Sequence, residues 1–515
     1  MAYTLGVSTG YWKIAHGVSP EKGEELLGIP LKIFWGATKG VRFVQVDLES
    51  ITEFKEPKLL EKIKRIKSLG LKFGVHGECA AIGMNTLPLD SAIKDAYKRA
   101  HQRLIDHIKG CGEIGAEYLL IHSSESEPFI RLGEHLQPMD LVDVWGRNLS
   151  DFLKENPKLL DWAIKKDFIV GIVSRYIGDI EYYRKIEERE FREINKREPS
   201  PQERKEIEKK AVERFKEVFR NYLNSTDLHY GSERIAYYII AKWMEEENDP
   251  LWKNIAGGKS IDDKSFREKY EKWVPAVSAK YIWGHFNPKV PEIYSNPKDL
   301  LDKYNLDFVF ETPMASPGYE TLMRLPRPLH MFYLAKAIKS KHVGIALDFE
   351  HMLGCNLDPK KEIELLPYKS GDIVKVIHVG VPTPLNPAHR PIPVGSEAQL
   401  YIYERLYELR KKGFKNGVII FERGGGADPI KQSIIALRLV IKFLEKDIPP
   451  KELPLEFFGV KEKGAEIKRQ EVAIREHALE PLKRMLAIPE EEYTFLSQAA
   501  VKKGKGTEWE KEKYR

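Results

Sequence analysis

The feature of this chain that most constrains its fold is an alternation of short apolar segments with amphipathic ones. Amphipathic stretches at 57–69 and 91–114 carry apolar residues at helical spacing. Repeated strand–helix units imply a parallel sheet with right-handed crossovers. Eight such units favour a closed sheet, so the sequence predicts an α/β fold of the (β/α)8 TIM barrel type. The apolar segments predict buried strands at 3–8, 42–47, 72–76, 118–122, 307–311, 343–348, 373–378 and 417–422.

The chain is much longer than a barrel requires. It has 515 residues, whereas a (β/α)8 barrel takes roughly 250. We predict barrel units one to four in 1–123, a large helical insertion in 124–295, barrel units five to eight in 296–447, and a helical C-terminal extension in 448–515. Within the insertion, 181–219 is dense in Lys and Glu and predicts a solvated pair of helices. Because the insertion follows strand four, we expect it to leave the barrel at the C-terminal face and to roof the site there.

Composition narrows the class of protein. The chain carries 83 Lys and Arg against 77 Asp and Glu, for a net charge of +6, which indicates a mixed surface and not the concentrated basic face of a nucleic-acid binder. Three cysteines without paired spacing argue against a disulfide framework and suit a reducing, cytoplasmic setting. No apolar run approaches the roughly 20 residues of a membrane span. No glycine-rich nucleotide motif follows the first strand, which argues against a dinucleotide or P-loop fold.

Ionisable residues follow the predicted strands at the ends that share one mouth of a parallel barrel. Carboxylates and neutral imidazoles that converge there are the ligand set of a divalent cation such as zinc or manganese. The cation would offset the cost of burying so many polar groups together. Asp47, after strand two, is a further candidate, for substrate binding. The predicted metal ligands at strand ends are His76, His122, Glu311, Asp348, His378 and Glu422.

Two more histidines follow strands six and seven. His351 belongs to an Asp-x-x-His segment that begins at Asp348, and His389 lies in the loop after strand seven. Both are placed to send a further ligand into the mouth of the barrel. We therefore include both among the predicted metal ligands.

These motifs resemble the xylose isomerase-like TIM barrel superfamily, and within it most closely endonuclease IV, the second family of abasic-site endonucleases. The resemblance covers 1–123 and 296–447. The strand-three motif GVHGECAAIGMN contributes His76 and Asn85, and FVFETP contributes Glu311 and Thr312. YLLIHSS, GIALDFEHMLG, HRPIPVGS and VIIFERG resemble the motifs after strands four, six, seven and eight.

The resemblance to endonuclease IV implies a centre of two or three zinc ions. It assigns His76, His122 and Glu311 to one ion, and His351 and His389 to a third ion. The aspartate expected two residues before His389 is replaced by Pro387, which has no ligand side chain, so this chain departs from the pattern at the third ion. The second ion would be bound by Glu311, as a bridge, with Asp348, His378 and Glu422.

Two enzyme hypotheses follow from the resemblance. The first is a metal-dependent hydrolase that cleaves a phosphodiester with a metal-bound hydroxide, its substrate a small phosphoester or damaged, abasic-site DNA. This hypothesis would make the protein a DNA repair enzyme.

The alternative is a sugar or sugar-phosphate isomerase or epimerase that uses Mn²⁺ or Co²⁺. In that enzyme Glu311 and Glu422 are the catalytic acid/base pair. Asn85, Arg390 and Asp47 are the predicted substrate contacts. A third hypothesis, from a different class, assigns the 124–295 insertion to a protein partner.

Overall fold

Eight parallel strands close into a barrel in the computed structural model of the chain. Each strand pairs with the next along the chain, and the last pairs with the first. The strands are β1 (Tyr3–Ser8), β2 (Phe43–Asp47), β3 (Lys72–His76), β4 (Tyr118–His122), β5 (Asp307–Glu311), β6 (Val343–Asp348), β7 (Val374–Val379) and β8 (Gly417–Phe421). The predicted (β/α)8 barrel is therefore confirmed. The structure describes residues 3–10, 28–78, 87–124, 140–224, 233–314, 323–381, 390–422, 430–460 and 474–475.

The helices predicted between the strands are present with small shifts at their ends. The segment predicted at 91–114 forms a helix over Lys94–Ile114, which ends at Gly115 in the left-handed conformation, with φ of 64°, where glycine carries no steric cost. In chain order the helices are α1 (Ile29–Ala37), α2 (Leu59–Ser68), α3 (Lys94–Ile114), α4 (Leu149–Glu155), α5 (Pro157–Ala163), α6 (Asp167–Ile177), α7 (Ile180–Asn195), α8 (Pro201–Leu223), α9 (Glu233–Glu246), α10 (Pro250–Ile255), α11 (Lys264–Arg267), α12 (Tyr270–Phe286), α13 (Pro297–Tyr304), α14 (Pro328–Ile338), α15 (Phe349–Gly354), α16 (Pro359–Leu365), α17 (Glu397–Lys411) and α18 (Ile430–Glu445).

Side chains alternate between the inside and the outside of the barrel, because successive residues of a strand point to opposite faces. One interior layer is a packed apolar cluster contributed by six strands. Two residues further along β4 to β8, the next inward position is a predicted metal ligand in every case. The polar site is therefore a layer of side chains directly above an apolar one. The apolar layer consists of Phe43, Tyr118, Leu120, Val309, Ala346, Val376 and Ile420.

A glycine on β3 makes room for one large side chain in this interior. A Cβ at Gly74 would overlap the ring of Tyr118, so only glycine lets that ring lie across the strand. The ring is 3% exposed and stacks on Phe43 with centroids 5.8 Å apart. This packing brings the Tyr118 hydroxyl to the level of the polar layer, where it donates to Gln45.

The segment between β4 and β5 is helical wherever the structure describes regular elements in it, from α4 to α13. The charge-dense stretch forms α7 and α8, two helices with a break at 196–200, as the sequence predicts. Ser200 and Glu203 close the start of α8 with a reciprocal capping box, which satisfies two backbone donors at once. Arg214 of α8 reaches Glu187 of α7 at 2.9 Å. The boundaries of the insertion at 124 and 295 stay a prediction.

The chain divides into two compact units, Met1–Arg390 with Glu408–Ile430, and Pro391–Tyr407 with Lys431–Arg515. All eight strands belong to the first unit. In the second, the Gln399 amide donates to the carbonyl oxygens of Ala436 and Phe457 at 3.3 and 3.0 Å. The predicted C-terminal helical extension is described only in part: 448–460 contains two 3₁₀ turns, and of the remainder only 474–475 is described. Among the described helices, none has the length and hydropathy that a bilayer crossing requires.

Candidate metal centre

Six of the predicted ligands meet at the C-terminal mouth of the barrel in two groups that share Glu311. Within each group, one candidate ligand atom per residue lies within 4.8 Å of every other. Five of the six residues are buried, and Glu422, whose side chain is 12% exposed, is the most open to solvent. The first group is His76, His122 and Glu311, and the second, which we call the quartet, is Glu311, Asp348, His378 and Glu422.

His378 is central to the quartet. Its Nδ1 lies 2.6 Å from Oε1 of Glu311 and 3.0 Å from Oε2 of Glu422. Oδ2 of Asp348 is 3.5 Å from the same nitrogen. Three carboxylates from three different strand ends thus surround one imidazole nitrogen.

The other oxygen of Glu311 faces the histidine group. Oε2 lies 3.3 Å from Nε2 of His76 and 3.6 Å from Nε2 of His122. The rings of His76 and His122 meet edge to face with centroids 5.1 Å apart. Glu311 therefore has the arrangement of a bridging carboxylate, with one oxygen toward each group.

The outward partners of the imidazoles fix where their protons lie. Nδ1 of His76 is 2.8 Å from the carbonyl oxygen of Gly77, and Nε2 of His378 is 2.8 Å from Oε1 of Gln45. A carbonyl oxygen only accepts hydrogen bonds, so each of these nitrogens must donate. In a neutral ring the opposite nitrogen then has a lone pair, and in both rings that nitrogen faces carboxylate oxygens. A nitrogen lone pair that faces carboxylate oxygens in a buried site is stable only when positive charge, from a proton or a bound cation, lies between the nitrogen and the oxygens.

The residues fit a divalent cation. Both carboxylate oxygens of Glu311 and Nδ1 of His378 are buried, and no described group gives them a hydrogen bond of acceptable geometry despite the short contacts. Buried polar atoms without partners are rare, whereas atoms that converge without bonding one another are what a coordination sphere needs. Three carboxylates with one imidazole suit manganese or another oxygen-preferring ion, and the two-histidine group suits zinc.

The electrostatics of the site point the same way. Burial opposes ionisation of Glu311, yet the charge of His378 and the contacts of the carboxylate with His378 and His76 outweigh it and lower the carboxyl pKa. Burial likewise opposes protonation of His76, but contact with Glu311 outweighs it and raises the His76 pKa to about 9. The pKa of His378 is raised well above its usual value, despite burial, chiefly by Glu311 and Glu422. The buried carboxylates thus hold negative charge that must be balanced by imidazolium groups or by a bound cation.

The other predicted site residues do not belong to either group of candidate ligands. His351 donates from Nδ1 to the carbonyl oxygen of Thr312 at 3.1 Å, and its backbone N–H donates to Oδ1 of Asp348 at 2.6 Å, so the ring is held at the mouth beside His122. Arg390 is exposed and pairs through its backbone with Val381. Asn85 and His389 lie outside the described residues, as does Pro387, so the third ion of the resemblance stays a prediction.

Asp47 is buried, and its carboxylate oxygens are hydrogen-bonded within the protein. It is 2% exposed, and its two oxygens accept from Gln45, Thr9 and the backbone N–H of Gly10. Its predicted role in substrate binding stays a prediction, and these contacts assign it a structural partner in Gln45. Sequence reasoning missed Gln45 altogether. The available signal was a polar residue at an inward position of a buried strand, FVQVD, where a side-chain amide requires a partner.

No protein-family model matches the chain, and no curated protein is similar to it in sequence. Solved structures are similar to it at low identity. D-Psicose 3-epimerase crystallised with D-fructose is 11% identical, with 86% of this chain and 100% of that chain covered and a TM-score of 0.43. The IolI protein with a bound zinc atom is 8% identical, with 87% and 99% covered and a TM-score of 0.36.

A third similar structure is a fusion protein of a xylose isomerase-like TIM barrel with a 4-hydroxyphenylpyruvate dioxygenase. It is 11% identical, with 90% of this chain and 46% of that chain covered and a TM-score of 0.39. That structure is named for the superfamily that the sequence motifs resemble; the closer resemblance to endonuclease IV stays a prediction. The barrel itself is established by its own strand order and registers.

Proposed function

We propose that the protein is a divalent-metal-dependent isomerase or epimerase of a sugar or sugar phosphate. The observation that supports this proposal is the complete quartet, in which Glu311 and Glu422 lie within 3.0 Å of the same nitrogen of His378. A bound divalent cation supplies Lewis-acid polarisation of substrate oxygens. Two carboxylates beside it suit a reaction in which one removes a proton from carbon and the other returns one.

The two glutamates are not equivalent. Glu422 has the more exposed side chain, at 12%, whereas Glu311 is fully buried. We therefore assign the first proton transfer from the substrate carbon to Glu422. Glu311, whose Oε2 lies 3.3 Å from Nε2 of His76, serves as the opposite carboxylate of the pair. The burial of the whole cluster favours a small substrate, since only a small molecule reaches side chains this deep in a barrel mouth.

Proton exchange at carbon tests this proposal. Protein stripped with a chelator and reloaded with Mn²⁺, Co²⁺ or Zn²⁺ is incubated in D₂O with pentoses, hexoses and their phosphates, and ¹H NMR follows the loss of carbon-bound protons. We expect exchange with at least one loaded form. Glu422→Gln should slow it about 10²- to 10⁴-fold, the usual contribution of a general acid–base group.

The matched control is Glu61→Gln, which makes the same change at a surface glutamate 58% exposed and paired with Arg65. That variant should exchange at the wild-type rate. The proposal fails if no loaded form exchanges a carbon-bound proton, or if Glu422→Gln exchanges as fast as the control.

Hydrolysis of a phosphoester is the second candidate, and one observation favours it. The His76–His122–Glu311 group provides a second ligand set beside the quartet, which an isomerase does not need. The same loaded protein should then cleave a chromogenic phosphodiester or an abasic-site duplex, and His76→Gln should abolish that cleavage. Cleavage without proton exchange at carbon would replace the first candidate by the second.

A further inference from the structure

A buried amide connects the metal centre to a carboxylate that does not belong to it. Gln45, on β2, is fully buried. Its Oε1 lies 2.8 Å from Nε2 of His378 and accepts from the hydroxyl of Tyr118 at 2.8 Å. Its Nε2 donates to Oδ1 of Asp47 at 3.1 Å. The side chain therefore joins a quartet ligand on β7 to an aspartate on its own strand.

The chemistry of Asp47 decides which way the amide points. An ionised carboxylate only accepts hydrogen bonds, so the NH₂ group of Gln45 must face Asp47 and the carbonyl oxygen must face His378. Asp47 is itself fixed. Its Oδ2 accepts from the backbone N–H of Gly10 at 2.6 Å and from Oγ1 of Thr9 at 3.2 Å.

We infer that Asp47 and Gln45 act together as a positioning pair that holds the proton of His378 on Nε2 and so commits Nδ1 to the cation. This inference depends on the metal centre of the proposed function but not on the reaction catalysed there. With the amide reversed, its NH₂ would face Nε2 and the ring proton would move to Nδ1. That proton would then occupy the space among the carboxylates of Glu311, Asp348 and Glu422, where a cation has to bind.

Substitutions that invert or remove the polarity of this pair test the inference. In Asp47→Asn, the N–H of Gly10 should keep the amide oxygen on its own side, so the new NH₂ faces Gln45 and favours the reversed amide. Gln45→Met removes the acceptor at similar size. Both variants should bind Co²⁺ about 10- to 100-fold more weakly than the wild type, the usual cost of losing a partner that orients a ligand.

The double variant D47N/Q45E provides the rescue. Its donor at position 47 faces an acceptor at position 45, so an oxygen again receives the Nε2 proton of His378 and the net charge equals that of the wild type. We expect Co²⁺ affinity to recover toward the wild-type value. Tyr118→Phe is the matched control, because it removes the other hydrogen bond to Oε1 of Gln45 and leaves the contact with His378; its Co²⁺ affinity should change little.

The experiment uses the full chain and Co²⁺ alone, with affinity from a competing chelator, ligation from the optical spectrum of the bound ion, and folding from thermal unfolding without metal. Folded Asp47→Asn and Gln45→Met that keep wild-type affinity and spectrum would overturn the inference, as would a double variant no better than Asp47→Asn. Because no substrate is involved, failure of the isomerase proposal leaves this result unchanged, and the exchange assay can succeed while this inference fails.

Discussion

Nε2 of His76 lies 3.3 Å from Oε2 of Glu311, while Nδ1 of the same ring donates to the carbonyl oxygen of Gly77. Because the proton on Nδ1 is used in the hydrogen bond to Gly77, a neutral His76 has no proton on Nε2 for Glu311. The contact with Glu311 is therefore favourable only when His76 is an imidazolium or when a cation lies between the two side chains. The two candidate functions differ at this contact. An isomerase needs one cation, in the quartet, and a phosphoester hydrolase of the two-metal kind needs another between His76 and Glu311.

Metal content should therefore separate the candidates. We expect one tightly bound ion per chain in the wild type and in His76→Gln, because the quartet does not include His76. Elemental analysis after chelation, reloading with Mn²⁺ and desalting measures it. Two ions in the wild type and one in His76→Gln would instead favour hydrolysis.

Asp348→Asn should weaken metal binding without lowering the stability of the metal-free protein. Oδ1 of Asp348 caps the start of α15 by accepting from the N–H of His351 at 2.6 Å, and Asn caps helices about as well as Asp. The metal-free variant should therefore unfold near the wild-type temperature but lose the stabilisation by added Mn²⁺, about 2.7 kcal/mol at a hundredfold excess over Kd. Asp358→Asn, the same change at the cap of α16, should keep that stabilisation. Equal responses of the two variants to Mn²⁺ would contradict the prediction.

Acid should destabilise the protein through a buried histidine pair that does not belong to the quartet. Nδ1 of His101 lies 3.1 Å from Nδ1 of His285, and burial lowers the His101 pKa to about 4 and the His285 pKa well below its usual value. The unfolded chain, with histidine pKa values near 6.5, takes up these protons first. The stabilisation is therefore complete above pH 6.5 and is lost as the pH falls toward 4, by up to about 1.4 kcal/mol per pH unit for each histidine.

Urea unfolding at pH 7, 6 and 5 measures this dependence. His101→Leu removes one of the two titrating groups, so its free energy of unfolding should change less steeply over the same range, even if it is lower at pH 7. An unchanged slope in that variant would show that other groups govern the acid response.

Arg324→Met should be strongly destabilising. Nη2 of Arg324 lies 2.6 Å from Oε2 of Glu233, and both side chains are buried. Removing one member of a buried ion pair leaves the other charge uncompensated, at a cost of about 3–5 kcal/mol. The control Arg65→Met breaks the pair with Glu61, in which both side chains are exposed, at 77% and 58%, and should cost about 1 kcal/mol or less. Chemical denaturation measures the free energy of unfolding of both variants. Equal losses in the two variants would contradict the prediction.

The barrel was predictable because its strands are buried on both faces. Such strands are continuous apolar runs, and each predicted strand agrees with the structure to within one residue at either end. β7 runs one residue later than predicted, through Val379, and β8 ends at Phe421, so Glu422 follows the strand. The grouping of the candidate ligands was predictable for a related reason, since ionisable residues that close the apolar strands of a parallel barrel come together at its C-terminal mouth.

The orientation of the ligands was not predictable in this way. His378 and Gln45 are 333 positions apart in the chain and touch only because β2 and β7 contribute to the same interior. The carbonyl groups that fix His76 and His351 belong to the backbone of Gly77 and Thr312, and backbone carbonyls have no sequence signature. Which proton sits on which nitrogen is therefore a property of the closed barrel and cannot be obtained from any one segment.

The placement of the polar layer directly above an apolar one separates two tasks along each strand. Val309, Ala346, Val376 and Ile420 pack in the apolar layer, and the residue two positions further along each strand is a candidate metal ligand. If the proposed centre is correct, a substitution in the upper layer would alter reactivity while the lower layer still folds the barrel. A lineage of such proteins can therefore exchange its ligands strand by strand and acquire new reactions on an unchanged framework.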